Sequence, residues 1–496
     1  MTRVELPSGE RGGRRPASGR GALALAVALG ACLAPLLTAA PASAAAPAAH
    51  DDFNGDGYPD VVVSHPLATV NGQAGAGAVV VLYGSANGLS AARSTVVSQA
   101  SAGIPGAAET ADRFGAATAS ADLDRDGYAD LVVGSPTEAV GGVAERGGVT
   151  VVWGGRGGLS GGTVLAESTV PAGSCAFGET LGTGDVNGDG APDVTVGSRC
   201  STHHFRGPFT RAGNAAAHAV DSALGATGAG VAVVSGDLDG DGADERVLLP
   251  GPTAADPGGP VLVDDWRGGA AVRTTLAAAD GVTGVIGDVN GDGYGDLVLG
   301  GPGDPADPLD GKTTGQIGGE VTVWYGARGG IDPARAPARL RQGSGGIPGS
   351  GELGDAFGTS LGVGDTDGDG RDDVVVGVPG EDIGAAEEAG GVVLLRGSAS
   401  GLTGAGARAV HQNTAGVSGA AEYWDLFGQR VRLADHDGDG RADLTVGVPG
   451  ENAEGCSWHA AGSASGITVT GAFGVCAGAL TGFTADGPGL GEVIAP

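Results

Sequence analysis

Seven short stretches of this chain set acids at alternate positions around a glycine. Each reads D-x-[DN]-x-D-G-x-x-[DE]; they begin at Asp52, Asp122, Asp185, Asp237, Asp288, Asp365 and Asp435. Oxygens at positions 1, 3, 5 and 9 of such a turn converge on one point, and glycine at position 6 permits the sharp bend. A hard cation taking six to eight oxygens suits that arrangement, with the position 7 carbonyl as a further ligand. Each stretch is therefore expected to hold one calcium ion, up to seven in all. The expected ligands of the first loop are Asp52, Asn54, Asp56, Tyr58 and Asp60; of the second, Asp122, Asp124, Asp126, Tyr128 and Asp130. The third has Asp185, Asn187, Asp189, Ala191 and Asp193; the fourth Asp237, Asp239, Asp241, Ala243 and Glu245. The fifth has Asp288, Asn290, Asp292, Tyr294 and Asp296; the sixth Asp365, Asp367, Asp369, Arg371 and Asp373; the seventh Asp435, Asp437, Asp439, Arg441 and Asp443. Among the side-chain positions only Asn54, Asn187 and Asn290 are amides; the other 25 hold acids, out of 58 in the chain. The net charge of −31 is thus largely a consequence of these loops. The fourth is expected to be the weakest, because Glu245 replaces aspartate and the adjacent Asp244 competes.

One such turn alone is an ordinary turn, since Asp, Asn and Gly favour turns. Seven with acids or amides at every ligand position are not. An EF-hand shares the first six positions but needs a glutamate at position 12 and flanking helices. Position 12 here is apolar, as at Val63 and Val133, and Pro59 and Pro192 oppose a helix. The EF-hand is excluded.

The elements that carry the loops repeat with them, 51 to 77 residues apart. Phe-Gly stands eight residues ahead at Phe114-Gly115, Phe177-Gly178, Phe357-Gly358 and Phe427-Gly428. A β-branched run such as Leu131-Val132-Val133 follows, then proline at Pro66, Pro136, Pro302, Pro379 and Pro449. A Gly-flanked strand (148–154, 391–397) and a turn such as Gly397-Ser398-Ala399-Ser400-Gly401 complete the unit. Each unit reads as four short strands. Seven of them predict an all-β, seven-bladed propeller with a metal loop in each blade. The expected blades are about 50–109 with 487–496, 110–172, 173–224, 225–276, 277–352, 353–422 and 423–486. The first loop lacks a Phe-Gly strand before it, and Leu490 to Pro496 looks like that strand. The C-terminal strand is therefore expected to complete the first blade and close the ring.

Phe-Gly, the acidic loop and Gly-x-Pro (Gly134-Ser135-Pro136, Gly377-Val378-Pro379) resemble, in that order, the FG-GAP repeats of the integrin α-subunit propeller and its bacterial relatives. The resemblance covers about residues 50–496. It departs where Ala229-Gly230 and Asp280-Gly281 replace Phe-Gly and Arg199 replaces proline, and all seven blades carry a loop where integrin-like propellers have it in some. It implies calcium-stabilised adhesion or ligand display. In this topology the acidic loops and the third-to-fourth turns share one face of the disc; the remaining connections share the other. Cys175 opens the first strand of the third blade and Cys200 follows the second; Cys456 and Cys476 lie likewise on the last blade. The register pairs Cys175 with Cys200 and Cys456 with Cys476.

Residues 1–44 read as a secretory signal: five arginines in the first twenty residues, an apolar run from Gly21 to Ala40, and Ala42-Ser43-Ala44 at the cleavage positions. The minor alternative is lipoprotein anchoring at Cys32. The protein is expected to be secreted or associated with the cell surface and monomeric, with four cysteines in an oxidising compartment. No second apolar run of spanning length follows. The acidic balance argues against nucleic acid and anionic membranes. The partner is expected to be a protein or glycan on the face away from the acidic loops, where 137–147, 303–318, 381–390 and Tyr423-Trp424 lie. An enzyme is not expected: the eight histidines lack metal spacing, and Gly158-Leu159-Ser160-Gly161-Gly162 fits a hydrolase pattern only by glycine abundance. The alternatives are the propeller of a phospholipase-like or other secreted hydrolase, and a purely structural cell-wall scaffold.

Overall fold

A computed structural model describes residues 50–495, except 166–171, 223, 225–230, 252–258, 268–269, 304–316, 485–486 and 488. The expected signal segment 1–44 with Cys32, Ala229-Gly230 and most of the 303–318 loop lie outside the described residues. The described residues fold into seven four-stranded sheets, each an antiparallel meander running outward from an inner strand. Blade two shows the plan: Ala117–Ala121, Asp130–Ser135, Gly148–Val152 and Gly162–Val164. The inner strands of blades two to seven are Ala117–Ala121, Thr180–Gly184, Ala232–Gly236, Thr283–Gly287, Leu361–Gly364 and Arg430–Ala434. Each touches the next, and Val493–Ile494 fills the gap between the last and the first. Blade five carries one addition to the expected four strands, a small hairpin of Gly326–Ala327 and Gly330–Ile331.

Val493–Ile494 pairs with Val61–His65, which continues through Ala78–Leu82 to Ser94–Val97. The first blade is thus built from both ends of the described chain. Leu490 takes the place of the motif phenylalanine. It is 1% exposed and bridges Gly455 of blade seven, as Phe427 bridges Gly390 of blade six. Gly491 does what the motif glycine does elsewhere. A Cβ on Gly134, Gly300, Gly377 or Gly447 would strike the carbonyl oxygen of Gly178, Gly358, Gly428 or Gly491, the motif glycine of the next blade. Phe-Gly and Gly-x-Pro recur together because the second strand of one blade and the entry of the next meet backbone to backbone.

No single centre holds the core. Apolar side chains form wedges between successive blades: Val149, Val151 and Trp153 against Leu181, Val194 and Val196, or Val393 and Leu395 against Val298 and Val323. Both faces of a second or third strand are buried this way, which is why runs such as Val61-Val62-Val63 are apolar without alternation. The four motif phenylalanines are fully buried. Between blades three and four polar groups take a share of the wedge: buried Arg246 reaches Asp264 at 2.7 Å and Thr195 at 3.3 Å. Asp264 also receives Arg273 at 2.6 Å. Blade four, like blade five, lacks the Phe-Gly pair.

Candidate functional site

In blades two to seven the acidic loop joins the inner strand to the second, and in blade one it leads into the second strand from the same side, so all seven lie on one face. The backbone turns on the position 6 glycine, at φ between 77° and 91° throughout. The position 1 carboxylate gathers the turn: Asp52 accepts from the amides of Gly55, Asp56 and Gly57 at 2.7, 3.1 and 2.8 Å, and Asp365 from those of Gly368 and Gly370 at 2.7 and 2.8 Å. The ninth acid is the buried floor. Asp60 accepts from Phe53 N at 3.0 Å and Gly84 N at 2.8 Å, and Asp130 from Leu123 N and Gly154 N. Burial first, and then neighbouring carboxylates, raises Asp60, Asp130 and Glu245 to about 8 and Asp193, Asp296 and Asp443 to about 7. A buried acid crowded by other acids resists ionisation unless a cation offsets it.

The sequence-predicted ligands come together. Asp122, Asp124 and Asp130 bring oxygens within 4.8 Å of one another, as do Asp237, Asp239 and Asp241, and Asp365, Asp367 and Asp369. The Oδ1 atom of Asp124 is buried without a hydrogen-bond partner. Such clustered carboxylates fit calcium where no internal cation already neutralises them. In loops three and five Asn187 and Asn290 turn their amide nitrogens toward Asp193 and Asp296 at 3.3 Å. Asp244 does not compete with Glu245. It accepts from Asp185 N at 2.9 Å in the preceding loop, and Asp372 does the same for Asp288 N. Asp265, from the third strand, instead joins Asp239 and Glu245, so loop four has an acid that the nine-residue pattern omits.

The loops are also strung to one another. The carbonyl of Asp52 accepts from Ala129 N at 2.9 Å, that of Asp185 from Asp244 N, that of Asp237 from Gly295 N, that of Asp288 from Asp372 N and that of Asp365 from Ala442 N. Where the eighth residue is Pro59 and has no N–H, His436 Nδ1 meets the Pro59 carbonyl at 2.7 Å. The side chain at position 7 lies over the position 4 glycine of the preceding loop: a Cβ on Gly55 would meet Tyr128, and one on Gly438 would meet Tyr58. Whatever orders one loop therefore orders its neighbour. Arg371 and Arg441, at position 7 of loops six and seven, reach their own position 5 acids Asp369 and Asp439 at 3.0 and 2.9 Å. Among the described residues two further arginines enter the loops from elsewhere in the fold. Arg211 of blade three reaches Asp124 and Asp126 at 2.5 Å with a half-exposed side chain; Arg396 enters loop six.

Both expected disulfides are formed, Cys175–Cys200 and Cys456–Cys476. The opposite face carries a second repeated set that sequence reading missed. Gln99 donates to Glu138 at 2.7 Å, Gln342 to Glu381 at 2.6 Å, and Gln412 to Glu451. Beside them Asp112, Asp355 and Asp425 accept from the backbone of Glu109, Glu352 and Glu422. Burial raises Glu138 and Asp355 to about 7 and Asp425 to about 6. The signal was present as E-x-x-D-x-F-G, always in register with the motif phenylalanine. At the junction of blades six and seven this segment exposes Tyr423 and Trp424, 70% and 49% accessible. Ser160 of the hydrolase-like pattern lies exposed in the turn between Gly148–Val152 and Gly162–Val164.

The FG-GAP repeat matches residues 45–82, 114–152 and 357–395. Phosphatidylinositol-glycan-specific phospholipase D of Bos taurus is 34% identical over 147 residues, which is 30% of this chain and 17% of the phospholipase. Integrin alpha-IIb of Homo sapiens is 45% identical over 89 residues, 17% of this chain and 8% of the integrin. The chain therefore spans less than a fifth of these relatives. Among solved structures, an Agrocybe aegerita lectin that recognises non-reducing terminal N-acetylglucosamine aligns over 82% of this chain and 88% of the lectin, with 15% identity and a TM-score of 0.45. No helix among the described residues is long and apolar enough to cross a membrane.

Proposed function

On the premise that this is an FG-GAP repeat protein resembling the integrin α-subunit propeller, we propose that it is an extracellular ligand-binding module. Calcium braces one face of the disc, and a protein or glycan partner docks on the other. The observation that carries the reading is the exposed pair Tyr423-Trp424. The same register holds Thr110-Ala111 and Leu353-Gly354 at two other junctions, so the fold does not require aromatics there. Trp424 has φ of 68° and donates its backbone N–H to Glu387 O at 3.1 Å. Flat amphipathic rings on a fixed backbone, beside the acids of 381–390, suit a sugar face or a peptide. Seven acidic loops strung into a belt suit a structural role for calcium. Two disulfides support an oxidising compartment.

A glycan and surface-protein binding screen, run with calcium and with chelator, tests this. Retention that disappears in Tyr423→Ala/Trp424→Ala supports it; retention unchanged by the double variant removes the site. The second reading is a hydrolase-associated propeller, favoured by the phospholipase match. Turnover of an ester or glycan substrate by the purified chain would establish that reading instead.

A further inference from the structure

The seven loops share one pattern, but the third strand adds a side chain that the pattern does not include. The residue across from the ninth acid is Tyr83, Trp153, Arg206, Asp265, Tyr325, Arg396 or Ala461, in blade order, each next to a paired third-strand residue. In blade six this residue is a cation and it points into the loop. Arg396 Nη1 lies 2.8 Å from Asp373 Oδ2, 2.9 Å from Asp367 Oδ2 and 3.2 Å from Thr366 Oγ1. Asp367 and Asp373 are positions 3 and 9, two of the expected ligands. The other nitrogen, Nη2, donates to Ser465 O of blade seven at 2.5 Å. The side chain is only 15% exposed.

An arginine at this register need not enter the loop. Arg206 in blade three lies over the Trp266 ring instead, 4.3 Å from its centroid. Arg211 contacts positions 3 and 5 of loop two from the rim, with half of its side chain in solvent, while the buried Asp130 keeps its two backbone donors. Arg396 alone among these three joins the floor acid to a position 3 acid. A dication held by the same two carboxylates would sit within a few ångströms of the guanidinium, and like charges at that range repel strongly inside a protein.

We infer that Arg396 is the resident cation of the sixth loop, so that this blade is pinned by an internal ion pair and takes no calcium. The inference rests on the calcium reading of the other loops. It makes the tie between blades six and seven, through Ser465, independent of calcium supply.

The test is calcium stoichiometry of the full chain after chelator treatment, by titration calorimetry and elemental analysis. Arg396→Gln should bind one more ion per chain than the parent. Asp367→Asn in the parent should leave the count unchanged, whereas Asp437→Asn in loop seven should lower it by one. The Asp367→Asn arm stands even if Arg396→Gln fails to fold. Equal counts for the parent and Arg396→Gln, or loss of an ion in Asp367→Asn, would overturn the inference while leaving the calcium reading intact. Absence of calcium binding in every chain would overturn both.

Discussion

Replacing Leu490 with alanine should weaken the whole ring, although only six residues follow it in the sequence. The side chain is 1% exposed and packs with Val61, Val63, Val475 and Ile494 across the seam between blades seven and one. Burying a leucine contributes roughly 1.5–3 kcal/mol, and the cavity left behind brings a Leu→Ala change to about 2–5 kcal/mol. The neighbours that could collapse into the space are held by strand pairing to Val493–Ile494, so about 3 kcal/mol is expected. That is a sizeable fraction of the roughly 5–15 kcal/mol that holds an ordinary domain together. At about 2 cal/mol/K of unfolding entropy per residue, a folded chain of roughly 450 residues shifts by about 1 °C per kcal/mol, so the melting midpoint should fall by about 3 °C. Leu490→Phe supplies the side chain used at four other junctions and should stay close to the parent. Deleting 489–496 should go further: it also removes the bonds from Gly491 N to Ser64 O and from Ala495 N to Val62 O, and leaves Val61–His65 as an open edge. The assay is thermal denaturation followed by circular dichroism, with light scattering for the deletion. A Leu490→Ala melt superimposable on the parent would refute the claim that this strand closes the ring.

Chelation should lower the melting point more as pH rises. Asp60, Asp130 and Glu245 sit near 8 in the fold against about 4 in an unfolded chain, so without calcium the native state holds the extra protons between those values. Stability is then fully present below about pH 4 and is lost as pH climbs through about 8; calcium should remove that slope, and coincident melts with and without chelator at pH 8 would contradict it. Cys456→Ala/Cys476→Ala opens a link spanning 20 residues and should cost about 3 kcal/mol, read as a shift in denaturant midpoint. Phe177→Ala should cost about 3–5 kcal/mol because the ring is wholly buried between blades two and three. Tyr423→Ala/Trp424→Ala should leave the stability within about 0.5 kcal/mol of the parent, read as the denaturant midpoint, while removing ligand retention, since both side chains face solvent.

The loop pattern, the Phe-Gly register and the β-branched runs were enough to read seven blades, their acidic turns, the closing C-terminal strand and both disulfides. Each of these depends on local backbone chemistry or on strand order, and a repeated sequence states both directly. What lay outside its reach were contacts made across blades, where partners are far apart in the chain. Asp244 looked like a rival ligand beside Glu245, yet it serves the loop of the previous blade, 59 residues away. Asp265 and Arg396 look unrelated in the sequence, but strand pairing sets both opposite a ninth acid, one adding an anion and the other a cation. The Gln–Glu pairs of the far face join residues 39 apart and become visible only when neighbouring blades are packed. The sequence by itself determined that the seven loops exist and what they are made of. Only the tertiary structure decided how each is charged, because that depends on which side chain the adjoining strand delivers to the floor of the loop.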